Sequence, residues 1–173
     1  VIQDPVWHAE GDVWTHTRMV VGALEKIPEF QMLPEGLRNC LRLAAQMHDI
    51  GKVSTTRTDE DGRITAHGHA RRGAEMLQHF WWEKGYKLIP EERQLVLALV
   101  RYHARPLHNQ DRLPAHVAGT SVLVPINLVA LIAEADIRGR TANDNEEQLL
   151  KIELFRETAR ELNCFDKPFV WPN

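Results

Sequence analysis

Apolar residues recur at helical spacing along most of the chain, and the pattern predicts six helices. After Asp12 a stripe runs through Val13, Thr17, Val20, Val21 and Leu24 and ends before Pro28. A second helix is expected from Pro34, a residue tolerated in a first turn, through Leu37, Leu41, Ala44 and Met47, with Gly51 as its stop. A third is predicted over about 68–83, with Gly73, Leu77 and Phe80 in line. Pro90, Glu91 and Glu92 open a fourth, whose stripe is Val96, Leu99 and Val100. A fifth covers about 125–137, and a sixth runs from near Asp144, at capping-box spacing from Glu147, to about 162. Residues 51–67 hold the turn signal Asp61-Gly62 between Thr- and Ile-containing runs and predict a small hairpin near 53–66. Residues 104–123 show no clean period; long segments of this kind are often functional. The expected fold is all-α, a single helical bundle over 1–163, with 164–173 as a linker or a strap on the body.

Certain polar residues fall where the core should be. His16 follows Val13 and precedes Val20 on one stripe, and His48 continues the face of Ala44. His69 lies in line with Gly73 and Leu77, His103 with Leu99 and Val100, and Asp136 with Ile132 and Ala133. An unpaired buried imidazole or carboxylate is costly. Several of them, delivered from separate helices into one core, offset one another most directly by sharing a cation. Taken singly, a histidine on an apolar face is more often a hydrogen-bonded core residue than a ligand, and a lone His-Asp dipeptide is common. The set is what points to metal. Asp49, beside His48, adds a carboxylate whose two oxygens can bridge two ions.

Other residues are expected to do less. His8, His79, His108 and His116 are read as surface, loop or packing residues, and Asp59-Glu60-Asp61 as a solvated loop tip. Trp7, Trp14, Trp81 and Trp82 are expected to pack in the core and its rim.

With 173 residues, 43% apolar, the chain can bury one sizeable core, which excludes a disordered chain and a disulfide-stapled miniprotein. A net charge of −3 gives no general attraction to duplex DNA or to an anionic membrane. The most apolar stretch, 122–133, is too short to span a bilayer and contains Pro125 and Asn127. Cys40 and Cys164 form no CxxC pair, and no basic-then-apolar segment opens the chain, so a cytoplasmic protein is expected, with one disulfide as the alternative. The first residue is valine rather than methionine, which raises the expectation of a piece of something longer.

His16, then His48-Asp49, then Asp136 resembles the H…HD…D signature of the HD-domain metal-dependent phosphohydrolases. HDIGK at 48–52 is similar to the extended form of that signature, and AHGHARRGAEML at 66–77 to a segment of two-metal HD phosphodiesterases. VRYH at 100–103 resembles the helix end that supplies a further histidine, although Ala104 stands where the HD-GYP subgroup has a second one and the GYP signature is absent. WHAEGDVWTHT at 7–17 and EADIRGR at 134–140 look like the HD domain fused to bacterial tRNA nucleotidyltransferases, and equally like the one preceding a P-loop kinase-like domain. Either fused partner would lie outside these residues.

The resemblance implies hydrolysis of phosphate esters at bound metal. His16, His48, Asp49 and Asp136 would hold one divalent ion, and Asp49, His69 and His103 a second. The histidine-rich set favours Mn, Fe, Co, Ni or Zn over Mg. Asp49 and Lys52 are the candidate catalytic residues, with Lys52 placed to neutralise a phosphate oxygen or protonate a leaving alkoxide. Lys52, His67 and Arg138 are candidate substrate contacts, and Arg57, Arg71, Arg72 and Arg140 are further phosphate-clamp candidates. Nucleotide-type substrates are implied: phosphodiesters, 2′,3′-cyclic phosphates, phosphomonoesters or RNA ends carrying them. Two alternatives stand beside this reading, a nucleotide or RNA-end binding module of a larger enzyme and an iron-dependent oxygenase built on the same ligands.

Overall fold

The computed structural model describes residues 1–6, 8–85 and 87–170. Trp7, expected in the core or its rim, and the tail end 171–173 lie outside the described residues. In chain order the helices are α1 (Val13–Leu24), α2 (Pro28–Gln31), α3 (Glu35–Met47), α4 (Lys52–Thr55), α5 (His69–Lys84), α6 (Pro90–Tyr102), α7 (Leu113–Ser121), α8 (Ile126–Arg138) and α9 (Asn145–Glu161). The six predicted helices correspond to α1, α3, α5, α6, α8 and α9. The hairpin also forms, from β1 (Arg57–Thr58) and β2 (Ile64–Thr65), antiparallel with Arg57 opposite Thr65. The segment without a period contains α7 and two 3₁₀ turns, Arg105–Leu107 and Gln110–Arg112. The fold is all-α apart from this hairpin.

Helix α8 is apolar on nearly every side and is correspondingly the central element. It packs against α1 and α9, while α3 bridges α1 and α6, and α5 lies along α6. Phe30, Leu41, Leu99, Val129, Ile132 and Phe155 are fully buried between them. Each such side chain contributes about 1.5–3 kcal/mol of transfer free energy. Cys40 and Cys164 are buried free thiols. Beyond α9, Phe165 and Phe169 pack on the core and the Phe169 amide donates to Ser121 Oγ at 2.9 Å, so 164–170 lies against the body. Among the described residues no single helix is long and apolar enough to cross a membrane.

Two glycines let backbones approach where donors must meet. A Cβ on Gly139, just after α8, would fall 2.5 Å from Val20 N and Cα in α1. A Cβ on Gly51 would fall 2.0 Å from the His69 carbonyl oxygen at the start of α5. Helix α3 ends at Met47, before Gly51 as expected; Gly51 keeps a right-handed helical φ of −65°, and what requires glycine there is the contact with α5.

Three local expectations are corrected. Asp144 makes no side-chain cap; its carboxylate instead accepts from Arg140 at 2.5 Å and from Gln148 at 2.9 Å. Trp81 is buried but Trp82 is 88% exposed, because adjacent helical positions point about 100° apart. Trp14, in the first turn of α1, is 68% exposed rather than packed.

Candidate metal centre

The bundle brings six predicted donors together from five stretches. His16 comes from α1, His48 and Asp49 from the turn after α3, His69 from the first position of α5, His103 from the end of α6, and Asp136 from the last turn of α8. His16 and His48 are completely buried, and Asp49 and His103 nearly so. His16 Nε2 lies 3.0 Å from Asp136 Oδ1 and 3.8 Å from Asp49 Oδ2. His48 Nε2 lies 3.3 Å from Asp49 Oδ2 and 3.8 Å from Asp136 Oδ1. On the other side of Asp49, Oδ1 is 3.3 Å from His69 Nε2, which is 3.4 Å from His103 Nε2. The two groups share the Asp49 carboxylate, one oxygen facing each.

The backbone fixes how the rings face. Nδ1 of His48 donates to Ala45 O at 2.8 Å, that of His69 to Ala66 O at 2.9 Å, and that of His103 to Val100 O at 2.8 Å. A carbonyl only accepts, so Nδ1 carries the proton in each neutral ring and Nε2 presents its lone pair to the cluster. This is the arrangement found behind metal-ligating histidines.

His48 Nε2 is the decisive atom. It is buried, has no hydrogen-bond partner among the described residues, and faces two carboxylates. A ring nitrogen directed at carboxylate oxygens in a dry interior needs a positive charge there, a proton on Nε2 or a cation in its place. The donor set therefore fits a divalent cation, held by imidazole and carboxylate.

The electrostatics agree. Burial works to lower the His48 pKa, but Asp49 and Asp136 outweigh it and raise it from 6.5 to about 9. Burial opposes ionisation of Asp49, yet His48 and Lys52 hold its carboxyl well below the usual range. Asp136 is likewise held down, against its burial, by its hydrogen bond from His16 and the charge of His48. Burial, His48 and His69 push His103 down to about 4, and burial lowers His69. At neutral pH the second group thus offers a carboxylate and two neutral imidazoles, the forms that bind metal.

Beside the cluster opens a cleft of about 510 Å³. Lys52 lines it, with Nζ 2.7 Å from Asp49 Oδ2 and donating to Gln3 Oε1 at 2.6 Å, and His69 is the one predicted donor on its wall. Exposed His67, expected as a substrate contact, lines the cleft together with Arg63 beside the hairpin. Arg138 does not reach it. Two residues beyond Asp136 on a helix is a rotation of about 200°, and Arg138 turns away to pair with Glu134 at 2.7 Å. Arg57 donates to the Thr56 carbonyl at 2.8 Å, Arg71 and Arg72 pair with Glu75, and Arg140 pairs with Asp144. None of these four lines the cleft.

Sequence reasoning missed Glu10 and undervalued His8. Glu10 is half-buried with its side chain nearly covered, Oε1 lying 2.8 Å from Nδ1 of both His8 and His16, and its Oε2 accepts the Thr141 amide at 2.8 Å. The contact to His16 is a close approach bent off the hydrogen-bond line. His8, read as a surface, loop or packing residue, is half-buried on the cleft wall with its ring 4.6 Å from that of His16. The remaining histidines match their expected roles: His79 is exposed beside Glu83, His116 donates inward to Arg105 O, and His108 is a loop residue, although on the cleft.

Comparison with known proteins agrees with this geometry. The family model of the HD domain matches residues 13–152, most of the chain. Searches of curated proteins and of solved structures return no match. The narrower likeness to the nucleotidyltransferase-fused and kinase-fused forms rests on the sequence motifs alone. Five stretches converging on one buried His/Asp cluster, with the family match spanning all of them, lead to one conclusion: the chain belongs to the HD domain family, a family of metal-dependent phosphohydrolases.

Proposed function

We propose that the protein hydrolyses nucleotide-type phosphate esters (phosphodiesters, 2′,3′-cyclic phosphates or phosphomonoesters) in the cleft beside Asp49. The observation that carries the reading is the pair of donor groups sharing the Asp49 carboxylate, which meets the cleft through His69 and through Lys52, 2.7 Å from Asp49 Oδ2. His16, His48, Asp49 and Asp136 would hold one divalent ion, and Asp49, His69 and His103 a second. Such ions supply Lewis acidity and lower the pKa of water toward neutrality.

The chain's own residues do the rest. Lys52 places an ammonium 2.7 Å from Asp49 Oδ2, where it neutralises a non-bridging phosphoryl oxygen and supplies a proton to the departing alkoxide. His67 and Arg63, at the mouth, offer donors to the remainder of an anionic ligand. A volume of about 510 Å³ lies within the range of sites for a small organic ligand.

The test is a phosphoester panel assayed with metal-stripped protein and with protein loaded with Mn, Co, Ni, Zn or Mg. The panel holds a nitrophenyl diester, 2′,3′-cyclic nucleotides and 2′-nucleotides. Turnover should require metal and vanish in Asp49→Ala with helical content retained. Tight nucleotide binding with no turnover would replace this reading by that of a binding module.

A further inference from the structure

Residues 1–3 reach the centre from outside the helical pattern. Val1 O accepts the Val13 amide at 3.0 Å and Ile2 bridges Asp12, so the strap is tied to the start of α1. This carries Gln3 into the wall of the cleft, where it is only 5% exposed. Its amide orientation follows from its neighbour. Lysine has donors and no acceptor, so the Gln3 atom 2.6 Å from Lys52 Nζ is the carbonyl oxygen, Oε1. Nε2 is left buried, with two N–H donors and no hydrogen-bond partner among the described residues. A buried donor without an acceptor is rare in native proteins, and beside a cleft a bound oxygen can supply the missing acceptor.

We propose that Gln3 contacts the substrate: Nε2 donates to a phosphoryl oxygen while Oε1 holds Lys52 against Asp49. Gln3 Nε2 and Lys52 Nζ then form a pair of donors, one neutral and one charged, that suits an oxyanion. The inference rests on the phosphohydrolase reading and adds to it a residue from outside the helical bundle.

The experiment titrates inorganic phosphate calorimetrically into the Mn-loaded chain and its Gln3→Glu and Gln3→Ala variants, with Mn binding measured separately. Gln3→Glu keeps an acceptor for Lys52 but replaces the donor by an anionic oxygen. Its phosphate affinity should fall at least about 10-fold, and that of Gln3→Ala comparably, with Mn affinity within about threefold of the parent. Parent-like phosphate binding by both variants overturns the proposal. Weak binding by Gln3→Ala alone overturns the substrate contact too, leaving Gln3 only the holding of Lys52. A Mn-loaded parent that binds no phosphate and turns over no ester overturns the phosphohydrolase reading, and this inference with it.

Discussion

His69 Nε2 and His103 Nε2 stand 3.4 Å apart with both rings committed, through Nδ1, to backbone carbonyls. Neither neutral ring has a proton to offer the other, so the contact pairs two lone pairs. A cation between them and Asp49 Oδ1 resolves it. His103→Ala should therefore remove one ion and leave the group around His16 and His48 loaded, lowering the stoichiometry by one. Elemental analysis of gel-filtered protein checks this; unchanged stoichiometry would place the second ion elsewhere.

The pH dependence of the metal-free protein follows from opposed histidines. His48 is raised from 6.5 to about 9, so its contribution to stability is complete below 6.5 and is lost as pH rises through 9. His103 is lowered from 6.5 to about 4, so its contribution is present above 6.5 and is lost as pH falls toward 4. Asp49 and Asp136, held low, add stability above the ordinary carboxylate range and lose it in acid. Denaturant midpoints of stripped protein should peak between these limits. Metal replaces the His48 proton, so loading should release about one proton per chain from that ring and gain about 10-fold in affinity per pH unit below 9.

Glu10 acts from behind the ligands. Its carboxylate stands 2.8 Å from Nδ1 of His16, on the far side of the ring from Asp136. Glu10→Gln should weaken metal binding by about 10–100-fold while leaving the denaturation midpoint of the stripped protein little changed. Competition against a chromogenic chelator reads the first quantity directly.

The close approach of Gly139 to Val20 sets the spacing between α8 and α1, and with it the 3.0 Å contact between Asp136 and His16. Gly139→Ala should cost about 1–3 kcal/mol of stability by forcing the helices apart. It should weaken metal binding as well, unlike an overpacking change remote from the centre. Paired unfolding curves with and without metal separate the two effects.

The long helices were legible because their apolar stripes repeat, and the same stripes exposed the donors. His16, His48, His103 and Asp136 are polar residues at positions whose neighbours one turn away are core. Glu10, His8 and Gln3 sit in the irregular segment before α1, where no period exists to mark a residue as inward. Arg138 shows the opposite failure: nearness in sequence to Asp136 suggested nearness in space, and helical rotation sends it to another face. Gly51 reads in sequence only as a helix stop, since only coordinates reveal the His69 carbonyl against it. Helix α7 escaped because its Ala-, Gly- and Ser-containing sequence carries no apolar stripe.

Asp49 joins the two donor groups, so its removal bears most directly on the whole account. Calorimetric titration of Mn into stripped parent and Asp49→Ala, with circular dichroism to follow the fold, should give binding to the parent and its loss in a variant that keeps its helices. A parent that takes up no divalent ion, or an Asp49→Ala variant that binds as the parent does, would contradict it.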